Sequence, residues 1–305
     1  MASANPPLES SASNEQTIDH TEAGAGSPHL SHADRKKAHE NATLPAEVIH
    51  EIVREEGERE LARSAGALWW SGLAAGLSMG FSFLAQAALQ AGLPDAAWRT
   101  LVASLGYTVG FAIVVLGRQQ LFTESTLSAV LPALTRRTTG AALACLRLWA
   151  IVLSANIAGT WILAAVLAYG HPVSPEAMHA LAMIAQEAVQ RPFWPVLLSA
   201  IFAGWLIALM VWVLPSSSNI KLLVIVLLAY VVALGRFSHI IAGSTDAAYA
   251  MLIAHASWTQ YLFNFFLPTL IGNKIGGTLL VALLNHAPVA PDLEKSGAEA
   301  KEDTG

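Results

Sequence analysis

Long apolar runs separated by short polar stretches occupy the chain from Arg63 to about residue 287. A helix needs about 20 apolar residues to cross the hydrocarbon core of a bilayer. Six runs reach this length, and the second and fifth are too long for one simple helix and carry polar residues near their middle. This pattern predicts an all-α membrane protein with six transmembrane helices, of which the second and fifth are broken. The predicted crossings are residues 66–91, 97–134, 141–169, 192–214, 220–256 and 260–285.

The ends of the chain lack this pattern. Residues 1–43 contain almost no large apolar residues, which predicts a disordered tail. Residues 44–63 carry an aliphatic stripe, which predicts an amphipathic helix that either packs on the membrane domain or lies at the membrane interface. The stripe consists of Val48, Ile49, Ile52 and Val53. The remaining predicted domains are a transmembrane channel domain at 64–287, with repeats at about 64–170 and 190–287, and a second tail at 288–305.

Composition narrows the class of protein. Of 305 residues, 54% are hydrophobic and 13% charged, with a mean hydropathy of +0.49, whereas a soluble domain has about a quarter of its residues charged. The predicted surroundings are therefore a lipid bilayer. Basic and aromatic residues form no interleaved stripe, so no nucleic-acid partner is expected. Cys145 is the single cysteine, so neither a disulfide framework nor a CxxC metal or redox site is possible within one chain. No cofactor is predicted.

Basic residues near the ends of the runs predict the orientation, because positively charged loops tend to remain in the cytoplasm. The opposite side carries mainly Arg99 and Arg191. Both termini of this multi-pass membrane protein are therefore predicted to be cytoplasmic. The basic residues on the predicted cytoplasmic side are Arg54, Arg59, Arg63, Arg136, Arg137, Lys221, Lys295 and Lys301.

The two interrupted runs contain a repeat. Leu-Gly-Arg stands at residues 116–118 and again at 234–236, and Ser-Thr follows at 125–126 and 244–245. Asn-Ile-Ala-Gly at 156–159 resembles Asn-Lys-Ile-Gly at 273–276. Each unit holds three crossings, and an odd number makes the second copy enter the membrane in the opposite direction. Inverted repeats with matching interruptions indicate a substrate site near the middle of the membrane, because unwound backbone there must be satisfied by protein or by a water-filled cavity.

Four residues at the interruptions are the candidate pore and substrate site. His239 follows the second Leu-Gly-Arg, and an ionisable residue there is able to donate a proton or a hydrogen bond to an anion. Its alternative role is that of a neutral histidine held by backbone atoms, but its place at the interruption favours function. We expect Thr123 to meet His239 across the pseudo-symmetry axis or to cap the following half-helix, and Phe122 and Leu121 to narrow the path.

Further polar residues have an electrostatic or supporting role in this prediction. Glu124 and Asp246 either cap the half-helices or, as the preferred interpretation, form ion pairs with Arg118, Arg236 or Lys274. Lys274 itself lies inside the sixth crossing, where it either raises the local potential for an anion or pairs with a carboxylate. Asn156 and Asn273 precede small residues and are expected to hold the unwound segments. The supporting set is Glu124, Lys274, Arg118, Arg236, Asp246, Asn156 and Asn273.

These motifs resemble the formate/nitrite transporter family over residues 66–287. The resemblance is carried by Leu-Phe-Thr at 121–123, Phe-Ser-His-Ile-Ile-Ala at 237–242, Asn-Ile-Ala-Gly at 156–159 and Gly-Asn-Lys-Ile-Gly-Gly at 272–277. It implies an aquaporin-like fold, a homopentamer with one pore in each protomer, and small monovalent anions as substrates. It also implies that His239 is the central histidine, Thr123 its partner and Phe122 part of the constriction.

The chain departs from the family at several positions. Gly243 stands where members often have Asn, and Ala133 and Leu134 stand where a basic residue is expected. The added charges and the long N-terminal segment make it similar to a divergent branch of uncharacterised inner-membrane homologues.

The resulting functional prediction is a channel or proton-coupled transporter for small monovalent anions or their weak acids. The alternative is a neutral-solute pore of the aquaporin type, although the paired Asn-Pro-Ala signature is absent. Neither HExxH nor GxSxG occurs, so an enzyme is not expected.

Overall fold

The computed structural model describes residue 31 and residues 44–283, with side chains as far as residue 279. The predicted tails at 1–43 and 288–305 therefore lie outside the described residues, apart from residue 31. The described chain is helical throughout and contains no strand. Its helices are α1 (Ala46–Leu61), α2 (Ala65–Gly92), α3 (Arg99–Leu116), α4 (Phe122–Ser128), α5 (Val130–Arg136), α6 (Thr139–Gly170), α7 (Pro175–Gln190), α8 (Phe193–Val213), α9 (Lys221–Leu234), α10 (Ala242–Leu252) and α11 (Leu267–Lys274).

Short segments of other helical types join these elements. A 3₁₀ turn at Leu214–Ser217 follows α8, and π-helical segments at Gln260–Phe266 and Ile275–Leu283 lie on either side of α11. In the described part of the chain, four helices are long and apolar enough to cross a membrane: Ala65–Gly92, Arg99–Leu116, Thr139–Gly170 and Phe193–Ser217. The count of six crossings stays a prediction.

Side-chain caps define several helix starts. Ser64, Thr138 and Ser174 accept hydrogen bonds from the backbone N–H three residues later, at the starts of α2, α6 and α7. Such caps satisfy amides that have no partner inside the helix. Polar residues of the sequence thus fix where the apolar helices begin.

Helix α1 occupies most of the predicted amphipathic segment and packs against α4, α5, α6 and α8. Ile49 and Val53 are buried, whereas Val48 and Ile52 are exposed. The contact side also contains Gly57, where an added Cβ would overlap the Ser128 carbonyl. The buried stripe is thus narrower than the sequence indicated, because α1 contacts the other helices along one edge.

Close helix pairs in the core depend on small residues. An added Cβ at Gly76 would overlap the Asn156 carbonyl, and one at Gly204 would overlap the Asn273 carbonyl. These contacts bring α2 onto α6 and α8 onto α11 at corresponding points of the two halves. Close backbone approach lets each asparagine reach across to the neighbouring helix.

Candidate functional site

The first interruption lies between Leu116 and Phe122, where α3 ends and α4 begins. Its backbone is held by Asn156 on α6, which is fully buried. The Asn156 Oδ1 accepts from Phe122 N at 2.9 Å, while its Nδ2 donates to Gln120 O at 3.0 Å and to Gly72 O at 2.7 Å. One amide therefore satisfies unwound backbone groups that lie among apolar helices.

The second interruption lies between Leu234 and Ala242, where α9 ends and α10 begins. Asn273 repeats the same arrangement from α11. Its Oδ1 accepts from Ile240 N at 2.8 Å, while its Nδ2 donates to Ser238 O at 2.9 Å and to Ala200 O at 2.8 Å. Both asparagines thus have the supporting position that the sequence predicted for them.

The two interruptions bring His239 and Thr123 together. The His239 Nε2 lies 2.9 Å from the Thr123 Oγ1, and each residue is only 1% exposed. Thr123 does not cap α4, because the helix begins at Phe122 with Leu121 at the cap position and no side-chain cap bond. Its hydroxyl is therefore available to the histidine, although 116 residues separate the two in sequence.

Hydrogen bonding assigns the form of the imidazole. The backbone N–H of Ala242 donates to His239 Nδ1 at 3.2 Å, so Nδ1 is an acceptor and carries no hydrogen. In a neutral ring the hydrogen is then on Nε2, which donates to Thr123 Oγ1. The histidine is accordingly a hydrogen-bond donor held in one tautomer by the first amide of α10.

Apolar residues surround this pair. Leu121 and Phe122 are buried, and Phe122 meets Trp149 edge-on with ring centroids 6.4 Å apart. Phe111 meets the His239 ring edge-on at 5.1 Å. Sequence reasoning missed Phe111, although its spacing of four residues from Tyr107 places both aromatic rings on one face of α3. The pair thus has apolar residues next to Thr123 in sequence and an aromatic ring in contact with His239.

A cavity of about 410 Å³ leads to His239 from the end of α2 that contains Gln90. Asp246 and Gly243 of α10 line it, together with Tyr107 and Ser104 of α3. We call this cavity the vestibule. The acidic, arginine and histidine residues that line it are Asp95, Arg99, Glu187, Arg191, Arg236, Asp246 and His239.

The ion pairs preferred for Glu124 and Asp246 are wrong for the part of the chain that the structure describes. Neither acid pairs there with a Lys or Arg. Arg236 Nη1 instead lies 2.5 Å from Glu187 Oε1 on α7. Arg118 and Arg236 both have left-handed backbone, with φ of 50° and 49°, and are exposed.

Lys274 has a different neighbour from the carboxylate considered in the sequence. Its Nζ lies 4.2 Å from the centroid of the Trp149 ring, and no ion pair to it is formed within the described side chains. An indole face attracts a cation without neutralising its charge. The positive charge therefore lies next to the ring that contacts Phe122.

The opposite end of the site is covered by α1, through residues that sequence reasoning missed. Arg63 Nη1 donates to Gln120 Oε1 at 2.9 Å, and Gln120 Nε2 donates to Ser125 Oγ at 3.0 Å. Ser128 Oγ donates to Glu60 Oε2 at 2.7 Å. Burial raises the pKa of Glu60 to about 7 despite this bond. No sequence signal marked Gln120, because its polar side chain serves a segment 57 residues away.

Known proteins share this arrangement of helices. The formate/nitrite transporter family matches residues 46–287. The inner membrane protein YfdC of Escherichia coli (strain K12) is 42% identical over 258 residues, covering 84% of this chain and 83% of that protein. The formate channel BtFdhC of Bacillus thuringiensis is 26% identical over 251 residues, covering 79% of this chain and 94% of its own.

A solved structure shows the same fold. A pentameric formate channel with formate bound is 21% identical, covers 72% of this chain and 95% of its own, and has a TM-score of 0.63. These matches confirm the family resemblance that the interruption motifs indicated. The match to YfdC also confirms the predicted similarity to inner-membrane homologues. Because the match covers residues 46–287 and a 42% identical relative aligns over most of both chains, the chain belongs to the formate/nitrite transporter family.

Proposed function

We propose that this protein is a transmembrane conduit for small monovalent anions or their weak acids, of the formate/nitrite type. The observation that carries the proposal is the 2.9 Å contact between His239 Nε2 and Thr123 Oγ1 at the junction of the two interruptions. The names of the relatives, a formate channel of Bacillus thuringiensis and a pentameric formate channel, support small anions as substrates and a homopentamer.

The proposed arrangement in the membrane is a six-crossing inverted repeat with the second and fifth crossings broken. The matching asparagine contacts at Asn156 and Asn273 support it. The basic residues Arg63 and Arg136 lie around α1, whereas Arg99 and Arg191 line the vestibule. The positive-inside rule then places α1 and both termini in the cytoplasm, and the inner-membrane relative supports a bacterial inner membrane.

The site favours the uncharged form of the permeating molecule at the constriction. Moving a bare carboxylate into hydrocarbon surroundings costs far more than moving a neutral acid. Leu121, Phe122 and Phe111 supply such surroundings. The Thr123 hydroxyl, which accepts from His239 Nε2–H, can donate its own hydrogen and so replace a hydrogen bond to water that a small acid loses on passing these side chains. The residues perform no covalent chemistry in this function.

The test is anion flux in proteoliposomes that contain the full-length protein. Formate, nitrite, acetate, lactate and hydrosulfide are supplied in turn at two pH values, with protein-free liposomes as the reference. We expect at least one of these anions to enter faster than in the reference. Uptake of none of them, together with fast water or glycerol flux, would overturn the proposal in favour of the aquaporin-type alternative.

Thr123 offers matched variants for the same assay. Thr123→Ser keeps the hydroxyl that faces His239 and should retain most of the flux, whereas Thr123→Val removes it with little change in volume. We expect Thr123→Val to lower the flux by about tenfold, the equivalent of one hydrogen bond of about 1.4 kcal/mol. Equal flux in the two variants would exclude a role for the hydroxyl.

A further inference from the structure

The proposed function does not identify the group that protonates the permeating anion. An anion that crosses the apolar constriction as a neutral acid must acquire a proton before His239 and lose it afterwards. The hydrogen on His239 Nε2 is directed at Thr123 Oγ1, and Nδ1 is occupied by the Ala242 amide. The histidine therefore has no proton to transfer without breaking the contacts that hold it, so another group has to perform the exchange.

Asp246 is in position on the vestibule side. It lines the same cavity as His239, as does Gly243 of α10. The Phe265 ring packs against Gly243 and also lines this cavity. Asp246 forms no ion pair with a described Lys or Arg. Asp, Glu and His residues inside transmembrane domains are typical of proton relays.

The charged groups around Asp246 are occupied with one another. Arg236 pairs with Glu187 at 2.5 Å, and Arg191 Nη1 donates to Arg236 O at 2.8 Å. Arg99 donates to Gln90 O at 2.9 Å and lies 3.8 Å from Asp95. Tyr107 of α3 is near enough to Asp246 to interact electrostatically. The titratable and charged groups on elements around Asp246 are Asp95, Arg99, Tyr107, Glu187, Arg191, Arg236, His239 and, on the packed π-helical segment, Tyr261.

Glu124 has the corresponding place on the α1 side. It directly follows Thr123, and its Oε1 is buried without a hydrogen-bond partner among the described residues. Ser128, one helical turn later, donates to Glu60 on α1. Ser128 therefore lies between Glu124 on its own helix and Glu60 on α1. The charged groups that face Glu124 are Glu56 and Glu60, with Arg63 and Lys274 on the adjoining elements.

We propose that Asp246 and Glu124 are the proton-exchange groups of this conduit, one on each side of the His239/Thr123 pair; the inference rests on the proposed anion transport. The protonated Asp246 carboxyl gives its proton to the entering monoanion, so its O–H bond breaks and the neutral acid forms. After the acid passes His239, the ionised Glu124 carboxylate takes that proton and the anion leaves. Each carboxyl group then exchanges a proton with water on its own side. One proton accompanies each anion, nothing is oxidised, and the reverse sequence gives transport in the other direction.

The experiment records formate uptake and internal acidification together in pyranine-loaded proteoliposomes over a range of external pH. Wild-type flux should level off at low pH, because a protein carboxyl group supplies the proton. In Asp246→Asn only acid preformed in solution can enter, so the flux should fall about tenfold for each unit of rising pH. Asp246→Glu should restore the levelled profile. Glu124→Gln should give the same defect when the pH is varied on the α1 side.

Matched controls are exposed acids outside the site, Glu176→Gln for Asp246 and Glu55→Gln for Glu124, which should keep the wild-type profile. A wild-type profile in Asp246→Asn or in Glu124→Gln would overturn the proposal while leaving anion transport intact. Absence of wild-type flux would instead reject the proposed function.

A second measurement needs no variant. Dicyclohexylcarbodiimide modifies protonated carboxyl groups in apolar surroundings, and mass spectrometry of the treated wild-type protein locates the adduct. We expect adducts at Asp246 and Glu124 that decrease with rising pH and with added formate. Their absence from both residues at every pH would contradict the assignment, even if the variants failed to assemble.

Discussion

The two helix interruptions have the same scaffold but present different chemistry. Gly117 and Gly235 end their helices with corresponding backbone bonds, Gly117 N to Ile113 O and Gly235 N to Val231 O. The arginines that follow have almost equal φ, and one asparagine holds each unwound segment. Unwound backbone among apolar helices has few possible hydrogen-bond partners, and both interruptions use an asparagine from a neighbouring helix.

The difference lies in one position and in the length of the gap. Counting from the repeated Leu-Gly-Arg, Leu121 of the first interruption corresponds to His239 of the second. Helix α4 begins at Phe122, whereas α10 begins only at Ala242, two residues later in the repeat. The delay puts the Ala242 amide on His239 Nδ1. The scaffold is thus duplicated, while the imidazole donor occurs once.

The surroundings of the two interruptions also differ. The first is covered by α1 through Arg63 and Gln120, and the second opens to the vestibule through Asp246. A duplicated scaffold can therefore have one covered and one open end. The following variants separate what the interruptions share from what distinguishes them.

The largest effect is expected from the shared asparagines. Asn156→Ala and Asn273→Ala each leave buried backbone groups unpaired, which should lower the free energy of unfolding by about 3 kcal/mol in either case. Denaturant titration of the purified protein in detergent, followed by tryptophan fluorescence, measures it. Asn264→Ala is the control, because Asn264 makes one bond, to Val189 O at 3.1 Å, and should lose about 1 kcal/mol. Strongly unequal losses for Asn156 and Asn273 would mean that the two scaffolds are not equivalent.

The next effect concerns the position at which the halves differ. His239→Leu gives the second interruption the residue that the first already has, so the shape is retained and the donor is lost. We expect the protein to remain folded and anion flux to fall by at least about tenfold, the equivalent of 1.4 kcal/mol. Flux in proteoliposomes and the denaturation midpoint are measured together. Unchanged flux with normal folding would show that the asymmetry at this position has no role in transport.

The sequence predicted the backbone scaffold that the two interruptions share better than it predicted the residues in which they differ. Repeated motifs located both interruptions and the pair Asn156/Asn273, because unwound backbone in an apolar setting demands particular residues at fixed places. The contact between Thr123 and His239 was expected from the pseudo-symmetry axis that relates the two interruptions. The family match confirms the resemblance on which the pore interpretation partly rested. The number of crossings and the roles of the site residues remain predictions.

The charged residues were harder to predict, because their partners are determined by helix packing and not by spacing. Arg236 reaches Glu187 on α7, and Lys274 reaches Trp149 on α6, neither of which is near in sequence. Arg118 is exposed and forms no ion pair with Glu124 among the described side chains. Glu124 and Asp246 were therefore assigned to ion pairs that the described chain does not form.

A smaller effect, the pH dependence of α1 docking, should distinguish the first interruption, which α1 covers, from the second, which opens to the vestibule. Burial raises the pKa of Glu60 from 4.5 to about 7 when α1 is docked. The neutral carboxyl is favoured in the docked state, so docking is strongest below about pH 4.5 and weakens as pH rises through about 7. Hydrogen exchange of α1 amides, corrected for intrinsic rates, should therefore increase between pH 6 and about 8 in the wild type. Glu60→Gln should remove that dependence, and Glu55→Gln should keep it. Equal protection of the α1 amides at all pH values in the wild type would show that Glu60 does not control the docking of α1.

The smallest effect concerns the two arginines with positive φ. Left-handed backbone costs a residue with a side chain roughly 1 kcal/mol relative to glycine, part of which glycine loses again through the greater freedom of its unfolded chain. Arg118→Gly should therefore stabilise the protein by about 0.5 kcal/mol. Arg236→Gly gains the same backbone relief but loses the exposed pair with Glu187, which is worth up to about 1 kcal/mol, so its net effect should be close to zero. In a Glu187→Gln background that pair is already absent, and Arg236→Gly should then stabilise as much as Arg118→Gly.

The comparison is not disturbed by Arg191, because its hydrogen bond goes to the backbone oxygen of residue 236 and survives the substitution. A larger gain from Arg236→Gly than from Arg118→Gly in the wild-type background would show that the two interruptions are strained to different degrees.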